Sequence, residues 1–223
     1  MCHRQADNPS EVTGIMTRVY AILAGVAVIV LLGVTYFVTQ RGGEGDDQFA
    51  QCRGGAVAGG AGAIGGPFTL VSETGETVTE EDVIDKPALI YFGYTFCPDV
   101  CPIDNARNVA AVEMLEERGE DVKPVFITVD PERDTVDVMR EFTDAFHPDL
   151  LGLTGSEEQV KTATTAYRAF SSKQDSDDPD YYLVDHSTFT YLTLPEHGFV
   201  EFFRRDDTAE AMADRVQCYL DAS

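Results

Sequence analysis

Ala88-Leu89-Ile90-Tyr91-Phe92-Gly93-Tyr94-Thr95-Phe96-Cys97-Pro98-Asp99-Val100-Cys101-Pro102 is the stretch that decides the fold. Residues 88–94 form a short, continuous apolar run, the pattern of a central strand covered on both faces. The chain then breaks into Cys-x-x-x-Cys-Pro ahead of a helix. Proline is favoured at the first helical position, so the helix is expected to open at Pro102 and to end before Gly119. Two thiols are thereby placed at the start of a helix, where the partial positive charge and unpaired N–H groups stabilise thiolate.

Outward from this turn, strands and helices alternate. Residues 125–129 (VFITV) read as a second buried strand, and Val136, Met139, Phe142 and Phe146 fall at helical spacing. Residues 151–154 are a brief third strand. Ser156 and Gln159 make a capping box for a helix expected to bury Val160, Ala163, Tyr167 and Phe170. Before the central strand, residues 68–71 and 77–78 flank Glu73-Thr74-Gly75-Glu76 as a hairpin. After it, 188–194 and 199–204 form another across Pro195-Glu196-His197-Gly198, and a last helix carries Met212, Val216, Tyr219 and Leu220. This order is that of an α/β domain of thioredoxin type.

The amino-terminal part is organised differently. Residues 19–38 are uncharged and apolar, long enough for a transmembrane helix, with Tyr20, Tyr36 and Phe37 near the ends where interfacial aromatics belong. No small-residue cleavage site follows, so the span reads as an uncleaved anchor behind a short cytoplasmic tail over 1–18. Residues 39–66 are mostly Gly, Ala and acids and read as a flexible tether; the folded domain is expected over 67–223. A short, not Arg-rich tail and a large trailing domain point to a bacterial inner membrane with the domain in the periplasm.

The formal net charge is −23 at pH 7, and all of the excess follows the apolar span. Such a domain repels nucleic acid phosphates and anionic lipid headgroups, which excludes nucleic acid as a ligand. The acidic surface also predicts a monomer.

Three residues between Cys97 and Cys101, rather than the two of a thioredoxin-type redox pair, favour chelation over disulfide exchange without excluding it. Soft thiolates select Cu(I), Zn(II) or iron–sulfur clusters, and imidazole suits copper and zinc. Structural zinc wants four ligands, and the chain offers no convincing fourth. Of the histidines, His3 precedes the apolar span, and His147 and His197 have loop surroundings. Only His186 sits between strand-like segments, where a turn could aim it at the Cys loop. On its own, a histidine in Asp185-His186-Ser187 reads as structural more often than as a ligand.

Four blocks change that balance: Tyr91 to Pro102; Thr128-Val129-Asp130-Pro131-Glu132-Arg133-Asp134-Thr135; Gly152-Leu153-Thr154-Gly155; and Tyr182-Leu183-Val184-Asp185-His186-Ser187. In this order and spacing the chain resembles the Sco/SenC family of membrane-anchored copper chaperones over about residues 66–220. The resemblance implies copper, as Cu(I) or Cu(II), bound by Cys97, Cys101 and His186. It implies delivery to the binuclear copper centre of a cytochrome c oxidase, hence a copper-accepting oxidase subunit and an upstream copper donor or thiol reductant as partners. By the usual logic of groups behind a ligand, Asp185 would orient the imidazole or tune transfer. Residues 130–135 would fix a loop and a helix start. The alternative activity is a membrane-anchored thiol–disulfide oxidoreductase that reduces the acceptor's cysteines. Of the other cysteines, Cys2 lies before the anchor; Cys52 and Cys218 either stay free or pair as a structural disulfide pinning the tether to the fold.

Overall fold

The structure is a computed structural model, and it describes residue 20 and residues 22–36, 48–54, 61–178 and 181–223. The chain divides into two units, Met1–Gln48 and Phe49–Ser223.

In the first unit, residue 20 and residues 22–36 are helical (α1), and the described side chains are exposed. No helix among the described residues is long and apolar enough to cross a membrane. Residues 19, 21, 37 and 38 of the expected anchor, the expected tail over 1–18, and residues 39–47 and 55–60 of the tether lie outside the described residues.

The second unit is built on a seven-stranded mixed sheet, flanked by helices. Its strands are β1 (Thr69–Ser72), β2 (Thr77–Thr79), β3 (Ala88–Gly93), β4 (Lys123–Thr128), β5 (Leu151–Thr154), β8 (Thr190–Leu194) and β9 (Gly198–Phe203), in the order β2-β1-β5-β4-β3-β8-β9. β3 pairs in parallel with β4 and antiparallel with β8. All six of its residues are buried, as the unbroken apolar run requires of a strand covered on both faces. Two further strands, β6 (Ser171–Lys173) and β7 (Val184–His186), form a separate antiparallel ribbon. The helices are α2 (Glu80–Val83), α3 (Val100–Glu117), α4 (Val136–Asp144), α5 (Glu157–Ala166) and α6 (Ala209–Ala222).

β3 sorts the core by its alternation. Leu89 joins Ala111, Val112 and Leu115 of α3 and Met212, Val216 and Tyr219 of α6 on one face. Ile90 and Phe92 turn to the other, where the Phe92 ring lies 5.5 Å from that of Tyr167. Fully burying one such Leu or Phe contributes roughly 1.5–3 kcal/mol, so the two faces together fix β3 and the turn that leaves it.

Two expectations are corrected here. The helix opens at Val100, not at Pro102, so Pro102 stands at its third position. The first turn of a helix has no intrahelical acceptors for its N–H groups, so a proline there forfeits no bond. α5 ends at Ala166, and Arg168 takes a left-handed φ of 51°. That reversal throws Phe170 outward to 60% exposure instead of onto the buried face. Sequence spacing also missed α2, whose capping box joins Thr79 and Asp82, and β6.

Part of the segment read as tether packs against the domain. Phe49 is buried, with its ring 5.1 Å from those of Tyr219 and His197. Cys52 is joined to Cys218 on α6 by a disulfide. The buried Glu201 carboxylate accepts from the Gly54 N–H at 2.7 Å and from the Tyr219 hydroxyl at 3.2 Å.

Candidate metal centre

Cys97 lies in the loop after β3, and Cys101 is the second residue of α3. Asp99, at the N-cap, makes no side-chain cap bond. The sulfur of Cys97 does that work instead: it accepts from the backbone N–H of Cys101 at 3.3 Å. A sulfur held against a helix N-terminus is stabilised as thiolate. The Cys97 thiol is accordingly pulled down to about 3, first by its hydrogen bond with the Cys101 thiol, then by His186 and the N–H groups of Asp99 and Cys101, against the opposing effect of burial. Cys101 is pushed far up, by that same bond to Cys97 and by burial. The pair therefore carries one thiolate and one proton, and both thiols are free.

His186 arrives from the end of β7. Its Nε2 lies 3.3 Å from the Cys101 sulfur, across 85 residues of chain. Its Nδ1 lies 2.9 Å from the Ser187 carbonyl oxygen. A carbonyl only accepts, so Nδ1 carries a proton, and Nε2 is the ring nitrogen that faces the thiols. The ring stands edge-on to Tyr94 and Tyr91, with centroids 5.7 and 6.1 Å away. Burial is the largest single influence on His186 and works to lower its pKa. The hydrogen bond and charge of Cys97, with the Ser187 carbonyl, outweigh it, and the net shift is upward. The three ligand atoms all lie within 4.8 Å of one another and form the sole group of this kind among the described residues. Two sulfurs and one imidazole nitrogen form a soft, three-donor set that suits copper better than a four-ligand structural zinc.

Asp185 faces away from this cluster, because neighbouring residues of a strand point to opposite sides. It is exposed, and its carboxylate accepts from Gln174 Nε2 at 2.8 Å. The bond that holds the imidazole comes from Ser187, whose part is played by backbone and leaves no side-chain signal to read.

Behind the ligands stands a frame. The buried Asp134 carboxylate accepts from the Thr95 N–H (3.0 Å), the Thr95 hydroxyl (2.6 Å) and the Thr128 hydroxyl (2.6 Å), tying the Cys loop to the end of β4. Burial raises its pKa despite those bonds. Asp130 holds Arg133 Nε at 2.6 Å and accepts from the Tyr182 hydroxyl at 2.6 Å. The Arg133 guanidinium in turn lies 3.6 Å from the Tyr182 ring centroid and 4.8 Å from that of Phe96. Arg133 thus bridges the loop of Cys97 and the strand of His186. Thr135 caps α4 by accepting from the Val138 N–H. Gly93 makes room: a Cβ there would sit 2.9 Å from the Phe126 and Tyr91 rings and 3.0 Å from the Cys101 sulfur. The Tyr91 hydroxyl donates to the buried Asp104 carboxylate at 3.0 Å. Nothing in the spacing of the sequence announced Gly93, Tyr91 or Asp104.

The sequence profile of the SCO1/SenC family matches residues 57–221. The chain belongs to the SCO1/SenC family. Like this SCO1/SenC chain, protein SenC of Rhodobacter capsulatus is a relative at 54% identity over 208 residues, covering 93% of each chain. Among solved structures, Arabidopsis thaliana ScoI with copper bound is 44% identical, with a TM-score of 0.68, over 71% of this chain and 99% of that one. Yeast Sco1 with copper bound is 37% identical, with a TM-score of 0.69, over 72% and 90%. The thioredoxin-like α/β fold of the SCO1/SenC family is therefore also that of this domain.

Proposed function

We propose that this SCO1/SenC protein is a copper metallochaperone. It binds copper through Cys97, Cys101 and His186 and delivers it to the binuclear copper centre of cytochrome c oxidase during assembly. The observation that carries the reading is the Nε2 atom of His186 facing two free thiols, with all three donor atoms inside 4.8 Å. The copper-bound relatives support the choice of metal. The protein is a carrier and not an enzyme: copper is cargo. Loading displaces the Cys101 proton, and unloading proceeds by ligand exchange, with each protein donor replaced by one of the acceptor.

The chain is anchored by residues 19–38 in a bacterial inner membrane, with a cytoplasmic tail over 1–18, a tether over 39–66 that is pinned to the domain at Phe49, Cys52 and Gly54, and the copper-binding domain over 67–223 in the periplasm. Support comes from the apolar composition of the span and the exposed apolar side chains of α1. The Cys52–Cys218 disulfide fits an oxidising compartment. The domain acts as a monomer and receives copper from an upstream donor.

The depressed Cys97 thiol favours a second reading, in which the protein reduces the acceptor's cysteines. Cys97 thiolate would attack the acceptor disulfide and release one acceptor thiolate. Cys101, giving up its proton, would then displace the other and leave a Cys97–Cys101 disulfide. Anaerobic mixing of the Cu(I)-loaded chain with the reduced, copper-free copper domain of an oxidase subunit separates the readings. Copper appearing in the acceptor supports the chaperone. A chain that keeps its copper in that mixture, and that in its reduced, copper-free form reduces the oxidised acceptor domain, supports the reductase.

A further inference from the structure

Outside α1, the exposed large hydrophobic side chains of the described residues number only six: Phe96, Ile103, Phe170, Tyr181, Leu183 and Phe189. None is scattered over the distant helices or the far hairpin. Phe96 directly precedes Cys97, and Ile103 lies on the first turn of α3, two residues past Cys101. Leu183 and Phe189 stand three residues before and after His186, and Tyr181 leads into the same strand. Phe170 is tied to the residue after His186 by two bonds: its N–H donates to the Ser187 hydroxyl and its carbonyl accepts from the Ser187 N–H, each at 2.9 Å. Cys101 and His186 meet at 3.3 Å, so the segments that carry these six side chains converge on one site. Exposed apolar side chains gathered at one place and rimmed by polar residues mark an interaction surface.

The ligands themselves show what covers it. Cys97 is 7% exposed and Cys101 not at all, so copper held between them sits below the surface. A donor atom of another protein reaches bonding distance, roughly 2.3 Å for a metal–thiolate bond, only if that protein presses against the surrounding side chains. The stretches that carry these side chains also hold the exposed acids Asp99, Asp175 and Asp177, in a chain of net charge −23. We propose that these six side chains form a docking collar for a copper-exchanging protein whose own metal ligands are set in an apolar face with a basic rim. Apolar contact supplies residence, and the charged rims steer the encounter. The inference rests on the chaperone reading and names the partner of its site. It also disfavours an anionic membrane surface as the occupant, since the rim has the same sign.

The test uses the full chain with Ile103→Gln, Phe170→Gln and Leu183→Gln combined; none of these side chains holds copper or the ligands. Cu(I) affinity is read by chelator competition, and transfer by the rate at which the reduced, copper-free copper domain of an oxidase subunit acquires copper. The expected result is an affinity within about threefold of the parent, as for surface substitutions, with transfer slowed about tenfold or more, as for loss of a binding hot spot. Added salt should slow transfer by the parent. Unchanged transfer at unchanged affinity overturns the collar and leaves the chaperone intact. Failure of the parent itself to bind Cu(I) overturns the chaperone instead. A parent that sediments as a dimer, with the variant a monomer, assigns the collar to a second copy and overturns the proposal.

Discussion

Cys101 Sγ and His186 Nε2 meet at 3.3 Å although 85 residues separate them in the chain. The contact joins the first turn of α3 to the end of β7, a strand that belongs to a small ribbon outside the main sheet. Its geometry is fixed from both sides. The Ser187 carbonyl sets the imidazole tautomer, and Gly93 leaves space for the sulfur.

Gly93→Ala should damage the site without removing a ligand. The new methyl would meet two aromatic rings at 2.9 Å and the Cys101 sulfur at 3.0 Å. Overpacking of this kind costs about 1–3 kcal/mol. Urea denaturation should show that loss, and Cu(I) competition should show weakened binding. A variant as stable and as tight as the parent would mean that β3 shifts freely.

Asp134→Ala should loosen the Cys loop. It removes the acceptor of three hydrogen bonds from Thr95 and Thr128 and leaves the buried Thr128 hydroxyl short of one partner. An unsatisfied buried donor costs about 1–3 kcal/mol, and loss of a group behind the ligands about 10- to 100-fold in metal affinity. Asp134→Asn, which keeps an acceptor oxygen, should retain more of both.

Cys97 is expected to link stability to pH in the metal-free, reduced protein. Its folded pKa, about 3, lies below the ordinary thiol value of 9.0. For a depressed acid the unfolded state binds more protons between those values, so stability rises with pH across that window. The contribution is full above pH 9 and is lost as pH falls to about 3. Cys101, shifted upward, has the opposite sign and acts only above its ordinary value. The stability gap between the parent and Cys97→Ser should therefore widen from acid to neutral pH. A gap independent of pH would show that Cys97 is protonated in the fold.

Removal of the Cys52–Cys218 disulfide, which closes 166 residues of chain, should lower stability by roughly 2–4 kcal/mol on loop-closure grounds. Cys52→Ser with Cys218→Ser should show this in denaturant, while Cu(I) affinity stays unchanged, because neither sulfur belongs to the metal cluster.

The fold was legible where one periodicity ruled a long segment. β3 and β4 announce themselves as buried runs, α4 by the helical spacing of Val136, Met139 and Phe142, and the Ser156–Gln159 box marks the start of α5. The helix start at Val100 was not legible, because the capping group is the Cys97 sulfur and lies outside the usual cap residues. Phe170 misled because Arg168 leaves the helix by a left-handed step that apolar spacing does not register. At the site, the chemistry of two cysteines was plain, whereas the choice of His186 needed the family blocks. The Ser187 carbonyl and the space above Gly93 are properties of backbone, which residue type does not advertise.

The most direct measurement is an anaerobic Cu(I) titration of the reduced chain against a competing chelator, comparing the parent with His186→Ala and Cys97→Ala. The account predicts one tightly bound equivalent in the parent and a fall of about 100-fold or more in both variants, beyond the 10- to 100-fold of groups that merely support a ligand. Tight binding indifferent to His186 would contradict the three-donor site and turn the protein into a dithiol in search of a disulfide.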